Sequence, residues 1–227
     1  MRTTEPRSTP RRDVHRAEAL AWLAAHPSAG DMAVVTSLPD FSEVRELEFE
    51  AWQRWFVAAA RSVIEWTPPE SVTIFFQTDV VYHGDWIDKG HLVLRAAEEA
   101  GARLVWHKIV CRKPPGTITY GRAGYSHLLC FTRSAHRARR ASKNASPDVV
   151  SDAGEKPAEK SMGVEACRLA CQFLLAETSI RVVVDPFCGR GTVLAVANAL
   201  GLEAIGVDRS ARACGAARRL VVTIERR

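Results

Sequence analysis

A segment near the C-terminus combines glycines and carboxylates at a spacing that suits cofactor binding. Val182–Asp208 reads VVVDPFCGRGTVLAVANALGLEAIGVD. It predicts a buried strand ending in Asp185, a turn carrying Gly189 and Gly191, a helix, and a second strand ending in Asp208. Glycines let a ligand approach the backbone, the helix N-terminus attracts its polar groups, and the second acid can accept hydrogen bonds from ribose hydroxyls. The segment therefore predicts a site for a nucleoside-containing cofactor.

The spacing of the glycines narrows the choice of cofactor. A dinucleotide-binding fingerprint has a third glycine three positions after the second, where this chain has Leu194. This disfavours NAD and FAD. A P-loop is excluded because no Gly-Lys-Ser/Thr follows the glycines.

The sequence DPFCGRGT, residues 185–192, resembles the DPFxGxGT motif of S-adenosylmethionine-dependent amino-methyltransferases acting on nucleic acids. In that family the acid after the next strand holds the cofactor ribose, and Asp208 matches it. A further cofactor-contacting segment of the family corresponds to the residues before the helix predicted at 162–177. The resemblance implies S-adenosyl-L-methionine as the cofactor, bound by Met162, Gly163, Asp185, Pro186, Phe187, Gly189, Gly191, Thr192 and Asp208.

The position of the motif within the chain also carries information. It begins at residue 185 of 227, so too little chain follows to complete a sheet, and the missing strands must come from the front of the sequence. This order is similar to that of the circularly permuted, β-type DNA and RNA amino-methyltransferases. The implied fold class is α/β, a Rossmann-like methyltransferase fold permuted so that the cofactor-binding half is C-terminal.

In that family the catalytic motif, [DNS]-P-P-[YFW], follows an early buried strand. The candidate here is SLPDF, with Ser37, Pro39, Asp40 and Phe41 as catalytic residues, although Leu38 replaces the first proline and Asp40 the aromatic. The resemblance implies that Ser37 and the adjacent backbone accept hydrogen bonds from the target amine, and that Phe41 stacks on the base. Asp40 adds a carboxylate that could bind or deprotonate an N–H. The alternative is a plain strand-to-helix turn in which Asp40 or Ser42 caps the helix.

Two further segments are candidates for substrate binding. The loop 77–89 follows the strand next to the catalytic one and is dense in polar and aromatic residues, and the acid-poor basic segment 108–122 suits phosphates and stacked bases. The alternatives are a packed surface loop and a merely solvated basic segment. Residues 1–16 and 133–143 are also basic, with the same alternative. The predicted substrate-binding residues are Asp79, Tyr82, Asp85, Trp86, Lys89, Lys113, Tyr120 and Arg122.

The elements that must position these residues follow from hydrophobic periodicity. We predict strands at 32–38, 72–76, 104–111, 126–132, 182–184 and 204–207, alternating with helices at 17–25, 42–66, 86–100, 162–177, 192–200 and 210–220. Such alternation indicates a parallel sheet. We predict an N-terminal arm and catalytic half of the sheet at 1–132, a flexible basic linker at 133–160, and the cofactor-binding half of the same domain at 161–227.

Composition sets outer limits on the function. The chain has 227 residues, 47% of them apolar, and a formal charge of +5, which permits an anionic partner. It has no apolar run of the roughly 18–20 residues that span a bilayer and no secretory leader, so we expect a cytoplasmic protein with no membrane partner. Six sparse cysteines are expected to be reduced thiols, with Cys167 and Cys171 packed in the core, and seven histidines show no metal-binding pattern, so no metal is predicted.

The sequence therefore predicts a methyltransferase that uses S-adenosylmethionine to modify a nucleobase nitrogen. RNA, such as tRNA or rRNA, is favoured over DNA, because the segments outside the core are short for recognising duplex DNA and flipping a base. The alternatives are a DNA, protein or small-molecule N-methyltransferase, or a non-catalytic nucleic-acid-binding module with a vestigial cofactor pocket. The sequence makes no prediction about the oligomeric state.

Overall fold

The computed structural model describes residues 10–135, 146–158 and 161–224. The strands are β1 (Arg12–Arg16), β2 (Met32–Thr36), β3 (Thr73–Gln77), β4 (Val80–Tyr82), β5 (Asp85–Ile87), β6 (Arg103–Cys111), β7 (Tyr125–Thr132), β8 (Val149–Val150), β9 (Val182–Asp185) and β10 (Glu203–Asp208). The α-helices are α1 (Ala19–Ala25), α2 (Phe49–Trp66), α3 (Lys89–Glu99), α4 (Val164–Glu177), α5 (Thr192–Ala199) and α6 (Ala211–Arg219). None of the helices described is long and apolar enough to cross a membrane.

Eight strands form one sheet in the order β1-β10-β9-β2-β3-β7-β6-β8, while β4 and β5 form a separate hairpin. Strand β7 is antiparallel to both of its neighbours, and the other neighbouring pairs are parallel. The carboxyl ends of seven strands therefore meet at one edge of the sheet, which we call the carboxyl edge. Strand β9, which ends in the predicted cofactor motif, lies beside β2, which leads into the predicted catalytic motif.

The sheet is covered on both faces, which explains why its strands read as continuous apolar runs. In β2, Val34 packs with residues of α1, α2 and α3, whereas Ala33 and Val35 pack on the opposite face with residues of α4, α5 and α6. The predicted α/β fold class is confirmed. Both halves of the chain contribute strands to the same sheet.

Three elements differ from the sequence-based prediction. Strand β1 was missed because it is a polar edge strand, paired only with β10, in which Val14 is the one buried residue. Helix α2 begins at Phe49, since a 3₁₀ turn at Phe41–Glu43 precedes it. Helix α3 begins at Lys89, because residues 85–87 pair with β4 in the hairpin.

The prediction of a flexible linker over 133–160 is corrected for residues 146–158; residues 136–145 and 159–160 lie outside the described part of the chain. Strand β8 extends the sheet beside β6, and Val150 and Ala153 are buried. The buried Lys108 ammonium donates to the Ser146 carbonyl at 3.0 Å and to the Pro147 carbonyl at 3.1 Å. Two apolar side chains and a distant lysine thus order a segment whose composition suggested disorder.

Deleting residues 146–158 is consequently expected to lower the melting temperature. The deletion exposes the edge of β6 and leaves the Lys108 ammonium buried without its carbonyl acceptors, which costs about 2–4 kcal/mol. The same deletion in a Lys108→Met background should cost less, because no buried charge is then left unpaired. Differential scanning calorimetry of the four proteins checks this, and equal melting temperatures for wild type and deletion would contradict it.

Candidate active site

A cavity of about 840 Å³ opens at the carboxyl edge, between the ends of β2, β9 and β10 and the residues that follow β1. Most of the predicted cofactor residues and part of the predicted catalytic motif line it. These lining residues are Ser37, Pro39, Met162, Asp185, Pro186, Phe187, Gly189, Thr192 and Asp208. The fold therefore brings together two sequence segments that lie about 150 residues apart in the chain.

The glycine turn between β9 and α5 has the backbone that the motif predicts. Gly189 and Gly191 have φ values of +51° and +84°, in the left-handed region that favours glycine. A Cβ on Gly189 would meet no atom within 4 Å, so its backbone is open to a ligand. A Cβ on Gly191 would lie 2.7 Å from the Ala217 Cβ, so Gly191 serves the close packing of the turn on α6 rather than the cavity wall.

Asp208 holds the glycine turn in place from the end of β10. One carboxylate oxygen accepts a hydrogen bond from the Gly189 N–H at 3.1 Å, and the other accepts one from the Ser210 N–H at 2.7 Å. Each carboxylate oxygen has a further lone pair. Because Asp208 also lines the cavity, it can accept hydrogen bonds from the two hydroxyls of a ribose.

Asp185 is a buried carboxyl at the end of β9. Its Oδ1 accepts hydrogen bonds from the Thr36 hydroxyl at 2.6 Å and from the Phe187 N–H at 3.1 Å. Burial raises the pKa of Asp185 to about 7, and the nearby charge of Asp208 adds to the rise, while the two hydrogen bonds oppose it. Thr36 was missed by sequence reasoning; its position at the end of β2, beside β9, is the signal that could have indicated it.

This raised pKa predicts a specific dependence of stability on pH. The unfolded Asp has a pKa near 3.9, so Asp185 favours the folded state most below about pH 4 and progressively less as pH rises to about 7. The full change is on the order of 4 kcal/mol. Asp185→Asn should remove this loss of folding stability at higher pH. It should keep both hydrogen bonds, since both donors bind the same oxygen, Oδ1.

Urea unfolding of wild type and Asp185→Asn at pH 5 and pH 8 measures the effect. The variant should gain stability relative to wild type between pH 5 and pH 8. If the difference in unfolding free energy between the two proteins is the same at both pH values, the pKa of Asp185 is not raised.

Two more predicted cofactor-binding residues, Thr192 and Gly163, differ in whether they face the cavity. The Thr192 hydroxyl is buried at the cavity wall and has no hydrogen-bond partner among the described residues, as expected of a group that meets a ligand. A Cβ on Gly163 would lie 1.9 Å from the Ala153 carbonyl oxygen. Gly163 is therefore required for packing of α4 against the segment after β8, and it does not line the cavity.

The SLPDF segment divides between the cavity and the protein interior. Ser37, Leu38 and Pro39 line the cavity, whereas Asp40 forms an ion pair with the Lys89 ammonium. The Lys89 side chain is 2% exposed and that of Asp40 is 35% exposed. The Asp40 backbone N–H also donates to the Glu43 carboxylate at 2.9 Å, which closes the turn that the alternative reading of this segment predicts.

Phe41, which was predicted to stack on the base, does not line the cavity. Its ring packs edge-on against Phe49, Trp52 and Tyr82, at centroid distances of 5.5, 6.1 and 5.4 Å. The aromatic side chain that does line the cavity from α2 is Trp55, edge-on to Phe187 at 6.2 Å. The sequence analysis did not single out Trp55.

A hydrogen-bonded network surrounds Asp79 beyond the end of β3. Its carboxylate accepts from the Trp86 Nε1 at 3.1 Å and from the Lys89 backbone N–H at 2.9 Å, and it lies 3.1 Å from the His127 Nε2. Burial alone would raise the pKa of Asp79, but these hydrogen bonds and the charge of His127 hold it below its usual value. Potential ligand atoms of Asp79, Asp88 and His127 lie within 4.8 Å of one another, a grouping that the sequence did not predict.

The remaining predicted substrate residues lie outside the cavity. Tyr82 belongs to the aromatic cluster around Phe41. Asp85 is exposed at the start of β5, and Lys113, Tyr120 and Arg122 are exposed in the loop between β6 and β7. Of the basic N-terminal segment, residues 1–9 lie outside the described chain. Arg12 is used structurally, since its guanidinium donates to Asn198 at 2.6 Å and to the Leu220 carbonyl at 2.6 Å.

Comparison with known proteins finds a family match in the C-terminal part of the chain. A family model described as DNA methylase, N6_N4_Mtase, matches residues 175–219, from the end of α4 to the end of α6. No curated protein matches the chain.

Solved structures match over most of the chain. One described as a DNA modification methylase of Thermus thermophilus, complexed with S-adenosyl-L-methionine, has a TM-score of 0.68 at 20% identity and covers 91% of each chain. The cytosine-N4-specific PvuII DNA methyltransferase has a TM-score of 0.72 at 16% identity, covering 96% of this chain and 89% of its own. The M1.HpyAVI–SAM complex has a TM-score of 0.58 at 14% identity and covers 92% and 98%. The chain therefore has the Rossmann-like fold of S-adenosylmethionine-dependent methyltransferases, with its family match in the segment that carries the glycine turn and Asp208.

Proposed function

We propose that the protein is a methyltransferase that uses S-adenosylmethionine to methylate an exocyclic amino group of a nucleobase in DNA. The observation that carries this proposal is the cavity at the carboxyl edge, which two motifs share. One wall is the glycine turn with Asp208, and another is Ser37, Leu38 and Pro39. A methyl donor and an amine held on these two walls would meet inside one cavity.

The residues of the first wall suit the cofactor. Asp208 offers acceptors for ribose hydroxyls, Gly189 gives open backbone, and the Thr192 hydroxyl, which has no partner among the described residues, offers a polar contact. When bound, S-adenosylmethionine supplies a methyl group on a sulfonium that is already activated for attack by an amine. The protein must therefore align the reactants and exclude water, and it needs no covalent intermediate.

The residues of the second wall suit the target amine. The Ser37 hydroxyl and the backbone carbonyls of residues 37–39 can accept the amine hydrogens and orient its nitrogen. As the new N–C bond forms, the bond between the methyl carbon and the sulfonium sulfur would break to leave a neutral thioether, and the nitrogen would release one of these hydrogens as a proton to solvent water. Asp40 is engaged with Lys89, so we assign it to holding this loop in position rather than to taking the proton.

Chain order supports the permuted arrangement. The strand before the glycine turn, β9, lies in the middle of the sheet but follows β2 and β3 in the sequence. The choice of DNA follows from the family model and from the solved neighbours, which are described as DNA enzymes. Nothing in these comparisons favours the RNA substrate that the short non-core segments suggested.

Transfer of tritium-labelled methyl groups tests the proposal. The full chain is incubated with labelled S-adenosylmethionine and with DNA, RNA, protein or nucleosides, and calorimetry measures cofactor binding in parallel. We expect cofactor binding and label in DNA. Label in RNA or protein would overturn the choice of DNA, and a chain that binds no cofactor would be the non-catalytic module.

A further inference from the structure

Two loops at the carboxyl edge expose large apolar side chains to solvent. In the loop 112–124, between β6 and β7, Ile118 and Tyr120 are 76% and 89% exposed. In the β4–β5 hairpin, Trp86 is 49% exposed and lies opposite the exposed Val81. Exposing large apolar side chains on neighbouring loops is costly in water, so they are candidates for contact with another molecule.

Asp79 joins the two loops into one surface. Its carboxylate accepts from the Trp86 Nε1 at 3.1 Å and from the hydroxyl of Tyr125, the first residue after the loop, at 3.5 Å. Because Tyr125 directly follows the loop 112–124, Asp79 fixes the end of that loop beside the β4–β5 hairpin. We call this region the acceptor surface, and its residues are Val81, Trp86, Arg112, Lys113, Ile118, Tyr120, Arg122 and Lys156.

The acceptor surface also gathers positive charge. Lys156, in the segment after β8, lies close enough to Arg112 and Lys113 for their charges to lower its pKa, in addition to the larger lowering by burial. The segment 108–122 contains no acidic residue. Cations that repel one another are stabilised by an anionic partner, and nucleic-acid phosphates supply such anions at regular spacing.

The acceptor surface is connected to the cavity on two sides. Lys156 is two residues before Ala158, which lines the cavity. On the other side, Lys89 follows the hairpin and pairs with Asp40, next to the cavity residue Pro39. A chain bound on the acceptor surface can therefore continue into the cavity.

We infer that the acceptor surface binds a single-stranded segment of DNA, with phosphates on the cations and unpaired bases on Tyr120 and Trp86. This inference rests on the proposed function and specifies the form of its substrate. A closed duplex also offers phosphates, but it hides the faces of its bases, so exposed aromatic and aliphatic side chains gain little from it. Stacking on unpaired bases gives each such side chain a partner.

Fluorescence anisotropy with the full chain tests the stacking. The probes are a labelled single-stranded DNA, its duplex, and RNA of the same sequence. Wild type should bind the single-stranded DNA most tightly, and Tyr120→Ala should weaken that binding by about 5- to 100-fold. Tyr120→Phe should retain it. The matched control is Val221→Ala, because Val221 is 83% exposed but follows α6 at the opposite edge of the sheet.

The dependence of binding on salt tests the phosphate contacts. Lys113→Ala and Lys156→Ala should each lower the slope of log affinity against log salt by about 0.7, the value for one phosphate of a single strand. Arg181→Ala is the control, since Arg181 is an exposed cation directly before β9, at the other edge of the sheet.

Three results would overturn the inference: unchanged binding by Tyr120→Ala, tighter binding of the duplex, or tighter binding of RNA. Cofactor affinity and methyl transfer, measured on the same variants, separate this failure from failure of the proposed function. If wild type binds the cofactor and methylates DNA while Tyr120→Ala keeps the wild-type KM, only the acceptor surface is wrong. If wild type binds no cofactor, the proposed function is wrong whatever the DNA binding.

Discussion

Replacing Asp208 with alanine is expected to weaken the binding of S-adenosylmethionine by about 10- to 150-fold, the usual effect of losing charge-assisted hydrogen bonds. Two losses combine in this variant. The ribose loses its carboxylate acceptor, and the Gly189 N–H loses the bond that holds the glycine turn. Isothermal titration calorimetry measures the affinity directly.

A control at the other end of the same strand makes the Asp208 result specific. Glu203 is an exposed acid at the start of β10, away from the carboxyl edge. Glu203→Ala removes the same charge and should leave the affinity unchanged. A folded Asp208→Ala protein with wild-type affinity would contradict the assignment of this cavity wall to the cofactor.

Asp40→Asn is expected to destabilise the protein more than Lys89→Met, although both break the same ion pair. Lys89 is 2% exposed and Asp40 is 35% exposed. Replacing the carboxylate with a neutral amide therefore leaves a deeply buried ammonium without a countercharge, at a cost of about 3 kcal/mol, whereas removing the ammonium leaves a carboxylate that water can reach, at about 1 kcal/mol. The double variant should be nearly as stable as Lys89→Met. Chemical unfolding of the four proteins tests this order, and equal losses for the two single variants would contradict it.

Turnover of the same variants separates positioning from proton transfer. If the ion pair positions the loop, Lys89→Met should lower kcat substantially, as Asp40→Asn does, with little change in cofactor affinity. If Asp40 is instead a general base, Asp40→Asn alone should lose about 10²–10⁴-fold. Full turnover by Lys89→Met beside an inactive Asp40→Asn would assign the proton to Asp40 and remove the positioning role.

The cavity wall formed by the glycine turn could be predicted because its geometry is local. The turn from Asp185 to Thr192 and the acid at the end of β10 are joined by one short strand–helix–strand unit, so their spacing in the sequence determines their spacing in the fold. The structure was needed only to distinguish the predicted cofactor residues that line the cavity from those that serve close packing. Gly191 and Gly163 turn out to serve close contacts with Ala217 and Ala153.

The surroundings of the predicted catalytic motif were harder to predict because their contacts join distant parts of the chain. The partner of Asp40 is Lys89, that of Asp185 is Thr36, and the network around Asp79 includes His127. No local pattern indicates such pairs. Phe41 illustrates the same problem, since the aromatic residue of the predicted catalytic motif packs in a cluster that includes Tyr82 of the hairpin.

Composition misled at two places where few residues decide the structure. In β1 a single buried valine and pairing with β10 suffice to form a strand. In the segment 146–158, order comes from β8 and from the carbonyl groups that bind Lys108. Both segments are ordered by the neighbouring strand with which they pair. The sequence of the segment alone carries no information about that strand.

Mass spectrometry of nucleosides from DNA methylated in vitro tests the central claim most directly. The full chain is incubated with single-stranded DNA and S-adenosylmethionine carrying an isotopically labelled methyl group, and the DNA is then digested to nucleosides. The proposed function predicts a labelled nucleoside whose methyl group is on an exocyclic amino nitrogen, formed by wild type and strongly reduced in Asp208→Ala. Label on a ring carbon, on ribose or in no nucleoside would contradict it.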